Sequence, residues 1–119
     1  MADFDTTVKR LRRWTANHDL HVKAAVELLI WHEHWIRRGD FLKACVASDP
    51  DGTSWIRWDA AKAFAFSNPQ ASTSELAILD LAVSLGSDRY KLSRMGDAHA
   101  KAIVEAFAAA LDVECEVRR

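Results

Sequence analysis

Residues Ser72–Gly86 read STSELAILDLAVSLG. Ser72 and Thr73 are residues that begin helices, and Glu75 stands three places after Ser72. That is the spacing of a capping box: the serine oxygen accepts an N–H of the first turn, and the glutamate side chain accepts the serine's own N–H. Gly86 follows the last periodic residue, where a left-handed glycine is expected to end the helix. Stepping about 100° per residue between the caps spreads apolar side chains over most of the circumference and leaves Asp80 and Ser84 as the polar strip. A helix of that kind is buried on most sides. It is too short to cross a bilayer, which takes about 20 apolar residues. The stretch predicts a core helix over 73–85 on which the rest of the chain packs.

Upstream, Asp3 or Asp5 can cap a helix over about residues 5–17, with Phe4, Val8, Leu11 and Trp14 as its apolar stripe. Lys9, Arg10, Arg12 and Arg13 cover the remaining surface. A second helix is expected from Asp19 to Arg38, stopped by Gly39, with Val22, Ala25, Val26, Leu29 and Ile36 facing the core. Asp40 then caps a short helix over 41–46, and Ser48-Asp49-Pro50-Asp51-Gly52 is a turn. Trp55–Trp58 reads as extended, and Ala60–Phe66 as a brief helix capped by Asp59. The polar segment 87–96 offers Tyr90, Leu92 and Met95 as anchors. Asp97 opens a last helix to Leu111, whose buried face is expected to be Ile103, Val104, Phe107 and Leu111. Val113, Cys115 and Val117 alternate with glutamates, a period of two that suits a strand or, equally, a terminal tail.

The run S-x-x-E-x-x-x-L-x-L-A-x-S-L over 72–85, with Trp58-Asp59 upstream, resembles small uncharacterised helical proteins of actinobacteria and their phages. The resemblance covers about the second half of the chain. It implies no known activity and no catalytic residue.

A chain of 119 residues fits one domain over 1–119. Sixteen basic against 17 acidic residues leave a net charge of −1, so no bulk field draws the chain to nucleic acid or membrane. Two cysteines, Cys45 and Cys115, have neither a disulfide framework nor zinc spacing. MADFDTTVKR lacks the apolar core of a signal peptide, so a cytoplasmic location is expected.

His32-Glu33-His34 invites a metal reading, but on a continuous helix residues two apart diverge by about 200°. Helical zinc pairs sit three or four apart. His18 and His21 have that spacing, with a helix start between them. Counted from Asp49, the sixth and twelfth positions of a calcium loop hold Ser54 and Ala60 rather than glycine and glutamate. There is no glycine-rich phosphate loop and no G-x-S-x-G. No catalytic residue, cofactor or metal is assigned.

Five tryptophans remain as the most informative residues. Trp31 and Trp35, four apart, fall on one face of the expected second helix, away from the Val22–Leu29–Ile36 arc. Trp55 and Trp58 of the same chain, or a second molecule, would have to cover them. Arg89, Tyr90, Lys91 and Arg94 interleave cations with an aromatic, as single-strand binders do. The expectation is an all-α orthogonal bundle of about five helices around the buried 73–85 helix. A short β pairing would join Trp55–Trp58 to the C-terminal stretch. The expected function is a non-catalytic accessory or regulatory protein–protein interaction module, self-associating or not, with contacts at Trp31, Trp35, Trp55 and Trp58. The alternative is a nucleic-acid-associated regulator using Lys9, Arg10, Arg12, Arg13, Arg89, Tyr90, Lys91 and Arg94. A metal protein or enzyme stands third.

Overall fold

In the computed structural model, which describes residues 3–114, the chain runs α1 (Phe4–Thr15), α2 (Leu20–His32), α3 (Gly39–Cys45), β1 (Val46–Ser48), β2 (Ser54–Ile56), α4 (Trp58–Phe66), α5 (Thr73–Gly86) and α6 (Asp97–Leu111). A 3-10 turn, Leu92–Arg94, joins α5 to α6. The result is a mostly helical domain with one antiparallel strand pair.

The capping box forms. Ser72 Oγ accepts the Glu75 N–H at 3.2 Å, and Glu75 Oε1 accepts the Ser72 N–H at 2.8 Å. From this start α5 packs along α2, with α4 against its other side. α1 lies across α2 and β2. Leu11, Val26, Leu29, Trp35, Phe41 and Leu79 meet in the core between them. Asp3, of the two acids that could cap α1, is the one used: its carboxylate accepts the Thr6 N–H at 2.8 Å, which lowers its pKa.

The second helix does not reach Arg38. It ends at His32, because Glu33 adopts φ 65° and the chain turns through residues 34–37. The turn drives the Trp35 ring inward, where its indole N–H donates to the Glu75 carbonyl at 2.9 Å. Phe41 and Phe64 pack against that ring with centroids at 6.1 and 5.9 Å. Burial of an aromatic ring with a satisfied N–H outweighs the propensity of Trp-His-Glu-His-Trp to stay helical. Gly39 is then the first residue of α3 rather than the stop of α2.

The strand pairing also differs from expectation. β2 pairs with β1 in the register Val46↔Ile56, Ala47↔Trp55, Ser48↔Ser54, so Val46 leaves the helix and β2 finds a partner just before the turn. The hairpin is local, and local closure has the smaller entropic cost. Asp49 Oδ1 binds the N–H groups of Asp51 and Thr53, and Gly52 supplies the left-handed residue at φ 100°. Of the alternating tail, residues 115–119 lie outside the described residues. α4 starts at Trp58, two residues earlier than expected, with Arg57 and not Asp59 at the cap. At the start of α6, Gly96 and not Asp97 holds the cap position.

Gly86 is not a left-handed stop. It is the last helical residue of α5, and Gly52 is the only described glycine with positive φ. A Cβ at Gly86 would overlap the six-membered ring of Trp58. The glycine is needed for close approach of the ring to the helix backbone. Gly86→Ala should therefore destabilise the domain by about 1–3 kcal/mol through overpacking, despite alanine's better helix propensity. Gly39→Ala, with no atom within 4 Å of the new methyl, is the control and should cost nothing. Denaturant midpoints of the two variants check this; equal midpoints would count against the Trp58 contact.

α6 departs furthest from expectation. None of its residues is buried, so Ile103, Val104, Phe107 and Leu111 do not form a core face. The helix faces α5 and the 3-10 turn across a groove lined by Ile103 and Phe107 and leaves the rest open. The radius of gyration, 15.1 Å, exceeds the roughly 13.5 Å typical of a compact chain this long, as an edge-mounted helix would make it. Among the described residues no helix is long and apolar enough to cross a membrane.

Candidate functional site

The four tryptophans singled out by sequence do not form one surface. Trp35 is fully buried and Trp31, on the other side of the Glu33 break, is 77% exposed. The same-face geometry requires a continuous helix, and the helix is not continuous. Trp58 is half-buried beside Trp14, with ring centroids at 6.5 Å, and its indole N–H has no partner. Trp55 is half-buried on β2 opposite Ala47. Trp31 alone presents a large indole to solvent.

The break also brings His32 and His34 together, with ring centroids at 6.0 Å, where a continuous helix would have parted them. His34 Nδ1 lies 3.0 Å from Glu75 Oε2. Glu75 thus uses all three of its oxygens: Oε1 on the cap, Oε2 on His34, and the main-chain oxygen on Trp35. The Ser72 N–H first, and then His34 and His32, hold its carboxylate below the ordinary glutamate range. His18 and His21 have separate tasks. His18 Nδ1 accepts the Asp19 N–H at 2.9 Å, and His21 Nδ1 meets the Leu85 carbonyl at 3.0 Å. Among the described residues no three His, Cys, Asp or Glu side chains gather as metal ligands would. Cys45 is a buried free thiol, and burial pushes its pKa to about 11, away from nucleophilic use.

The basic face of α1 is largely engaged within the chain. Arg10 donates to Ser54 Oγ at 3.0 Å and to the Asp49 carbonyl at 2.8 Å. Arg13 donates to the Asp51 carbonyl at 3.1 Å and lies over Gly52, where a Cβ would displace it. Arg12 grips Glu27 with two hydrogen bonds, at 3.1 and 2.9 Å, which raises its pKa. Lys9 is exposed. In the α5–α6 connection Arg89, Lys91 and Arg94 are exposed, Lys91 with φ 54°. Tyr90 is 43% exposed among them and also lines an apolar groove.

That groove, about 400 Å³, runs between α5, the 3-10 turn and α6. Leu81 and Leu85 form its floor, Tyr90, Leu92 and Met95 one end, and Ile103 and Phe107 the α6 wall. Its lining carries no charged side chain. Beyond its rim the apolar surface continues: Phe107 is 51% and Leu111 67% exposed, with Val104 and Val113 beside them. The sequence pattern of Val104, Phe107 and Leu111 is that of a core face, and the structure turns them outward. The available signal was the alanine on both flanks of the helix, which gives a neighbour little to pack on. A second cleft, between α4 and α5, is lined by Lys62, Asp80, Ser84, Ser87 and Arg89 with Phe66, and its mixed charges single out no ligand. Among the described residues, an apolar groove and a mixed cleft are thus the candidate surfaces. Compared with protein-family models, curated proteins and solved structures, the chain matches none.

Proposed function

We propose that the chain is a non-catalytic accessory or regulatory module that works by contacting protein, and that its contact surface is the α5–α6 groove with the outer stripe of α6. The observation that carries this is α6 itself, a 15-residue helix without one buried residue and with half-exposed Val104, Phe107 and Leu111 on one stripe. A lone helix of about 15 residues is marginal in water, and its stability comes from packing an apolar face. A contiguous apolar patch that the fold leaves uncovered is the usual mark of a protein contact. Trp31 is a separate exposed anchor at the end of α2, of the residue type enriched in binding hot spots. Cytoplasmic residence accords with this reading, since Cys45 is a free thiol. The nucleic-acid alternative draws on Lys9, Arg89, Lys91 and Arg94, because Arg10, Arg12 and Arg13 already have partners.

Site-specific photo-crosslinking in living cells tests the proposal. A photoreactive phenylalanine at position 107 or 111 should yield a protein adduct, and the same group at Lys62, on the other side of α5, should not. Adducts absent from 107 and 111, with nucleic acid captured at Arg89 or Arg94, would replace this reading with the alternative.

A further inference from the structure

We infer that the occupant of the α6 surface is a second copy of the same chain, docked with the two α6 helices antiparallel about a two-fold axis near Phe107 and Ala108. The inference rests on the reading of that surface as a protein contact. Its first support is the order of residues along the stripe. Reversing α6 on itself about that axis sets Val104 against Leu111 of the second copy and Phe107 against Ala108, a large side chain beside a small one. Ala100 and Ala108 let the backbones approach. A two-fold contact must be self-complementary in this way, because each residue meets the reflected position of its own sequence.

Charge supplies the second support. Asp97 and Lys101 lie toward one end of the stripe and balance each other, and Asp112 with Glu114 lies at the other. None of the salt bridges among the described residues uses any of the four. The antiparallel arrangement brings each Lys101 level with the acidic end of the opposite copy. A parallel arrangement would set the two acidic ends against each other, which disfavours it. Opposed helix dipoles also favour the antiparallel form.

The third support is area. From their fractional exposures, Tyr90, Val104, Phe107, Leu111 and Val113 leave roughly 400–500 Å² of side-chain surface open on each copy, taking ordinary side-chain sizes. Covered on both copies, with the alanines between them, this comes to about 1,000–1,200 Å², the lower end for a specific interface. The assembly is thus a reversible dimer of modest affinity.

Sedimentation equilibrium of the full chain over about 1–200 µM tests it. The wild type should show a monomer–dimer equilibrium within that range. Leu111→Asp should be monomeric throughout with its helical circular dichroism retained, since no α6 residue belongs to the core. Lys101→Glu should weaken dimerisation about tenfold, and adding Glu114→Lys in the same chain should restore most of the loss. Glu114 is the better partner for the swap, because Asp112 holds a left-handed conformation that lysine tolerates poorly. A wild type that stays monomeric overturns the inference, as does a charge swap that restores nothing. If the monomer still gives a photo-adduct at position 107 with another protein, only the second copy is wrong and the interaction reading stands. If it gives no adduct, both fall.

Discussion

Trp35→Ala is expected to destabilise the domain by about 3–5 kcal/mol, the range for deleting a fully buried large ring. The ring is 0% exposed, sits among Phe41 and Phe64, and lies 4.9 Å under the Arg38 guanidinium. Its loss also loosens the turn at 34–37, since the indole N–H to the Glu75 carbonyl ties that turn to α5 together with the His34–Glu75 contact. A domain of this class is stable by about 5–15 kcal/mol, so this one change can remove a large part of the margin. Trp35→Phe keeps the aromatic packing and loses the hydrogen bond, and should fall between. Urea denaturation followed by circular dichroism measures both. A Trp35→Ala shift under about 1 kcal/mol would mean the ring is not in the core.

The second large effect belongs to α5. Leu79→Ala should cost about 2–5 kcal/mol because it leaves a cavity where α2, α4 and α5 meet. Leu81→Ala, two residues on, should cost distinctly less: its side chain is half-buried and faces the α6 groove, which can collapse or fill with water. Asp80→Ala, fully on the surface, should be close to neutral. Three melting curves separate these cases. Equal losses at 79 and 81 would mean that the helix is wrapped on all sides and the groove is closed in solution.

The contrast between Leu79 and Leu81 also shows what could be read in advance. Ser72, Glu75 and the leucines announce a helix because capping and periodicity act within a few residues. They do not say which of several apolar flanks is covered, since that depends on where α2, α4 and α6 arrive. The same limit explains α6. Ile103, Val104, Phe107 and Leu111 have the spacing of a core face, and only the placement of the helix at the margin turns them outward. At Glu33 the failure has another origin. Local propensity favours helix through Trp31–Trp35, and a tertiary contact 40 residues away, Trp35 to Glu75, overrides it. The hairpin was half legible: its turn residues were plain, but the partner strand was hidden in Val46–Ser48, three residues too short to show a period.

The engagement of Arg10 and Arg13 with the hairpin has a consequence for competition. The Asp49 carbonyl takes one nitrogen of Arg10 and the Asp51 carbonyl one of Arg13, donors that a phosphate could otherwise use. Both carbonyls belong to the same chain, so this occupant never diffuses away. A tethered group of this kind acts at an effective concentration of about millimolar order. The hairpin turn is in this sense a built-in competitor for part of the α1 basic face.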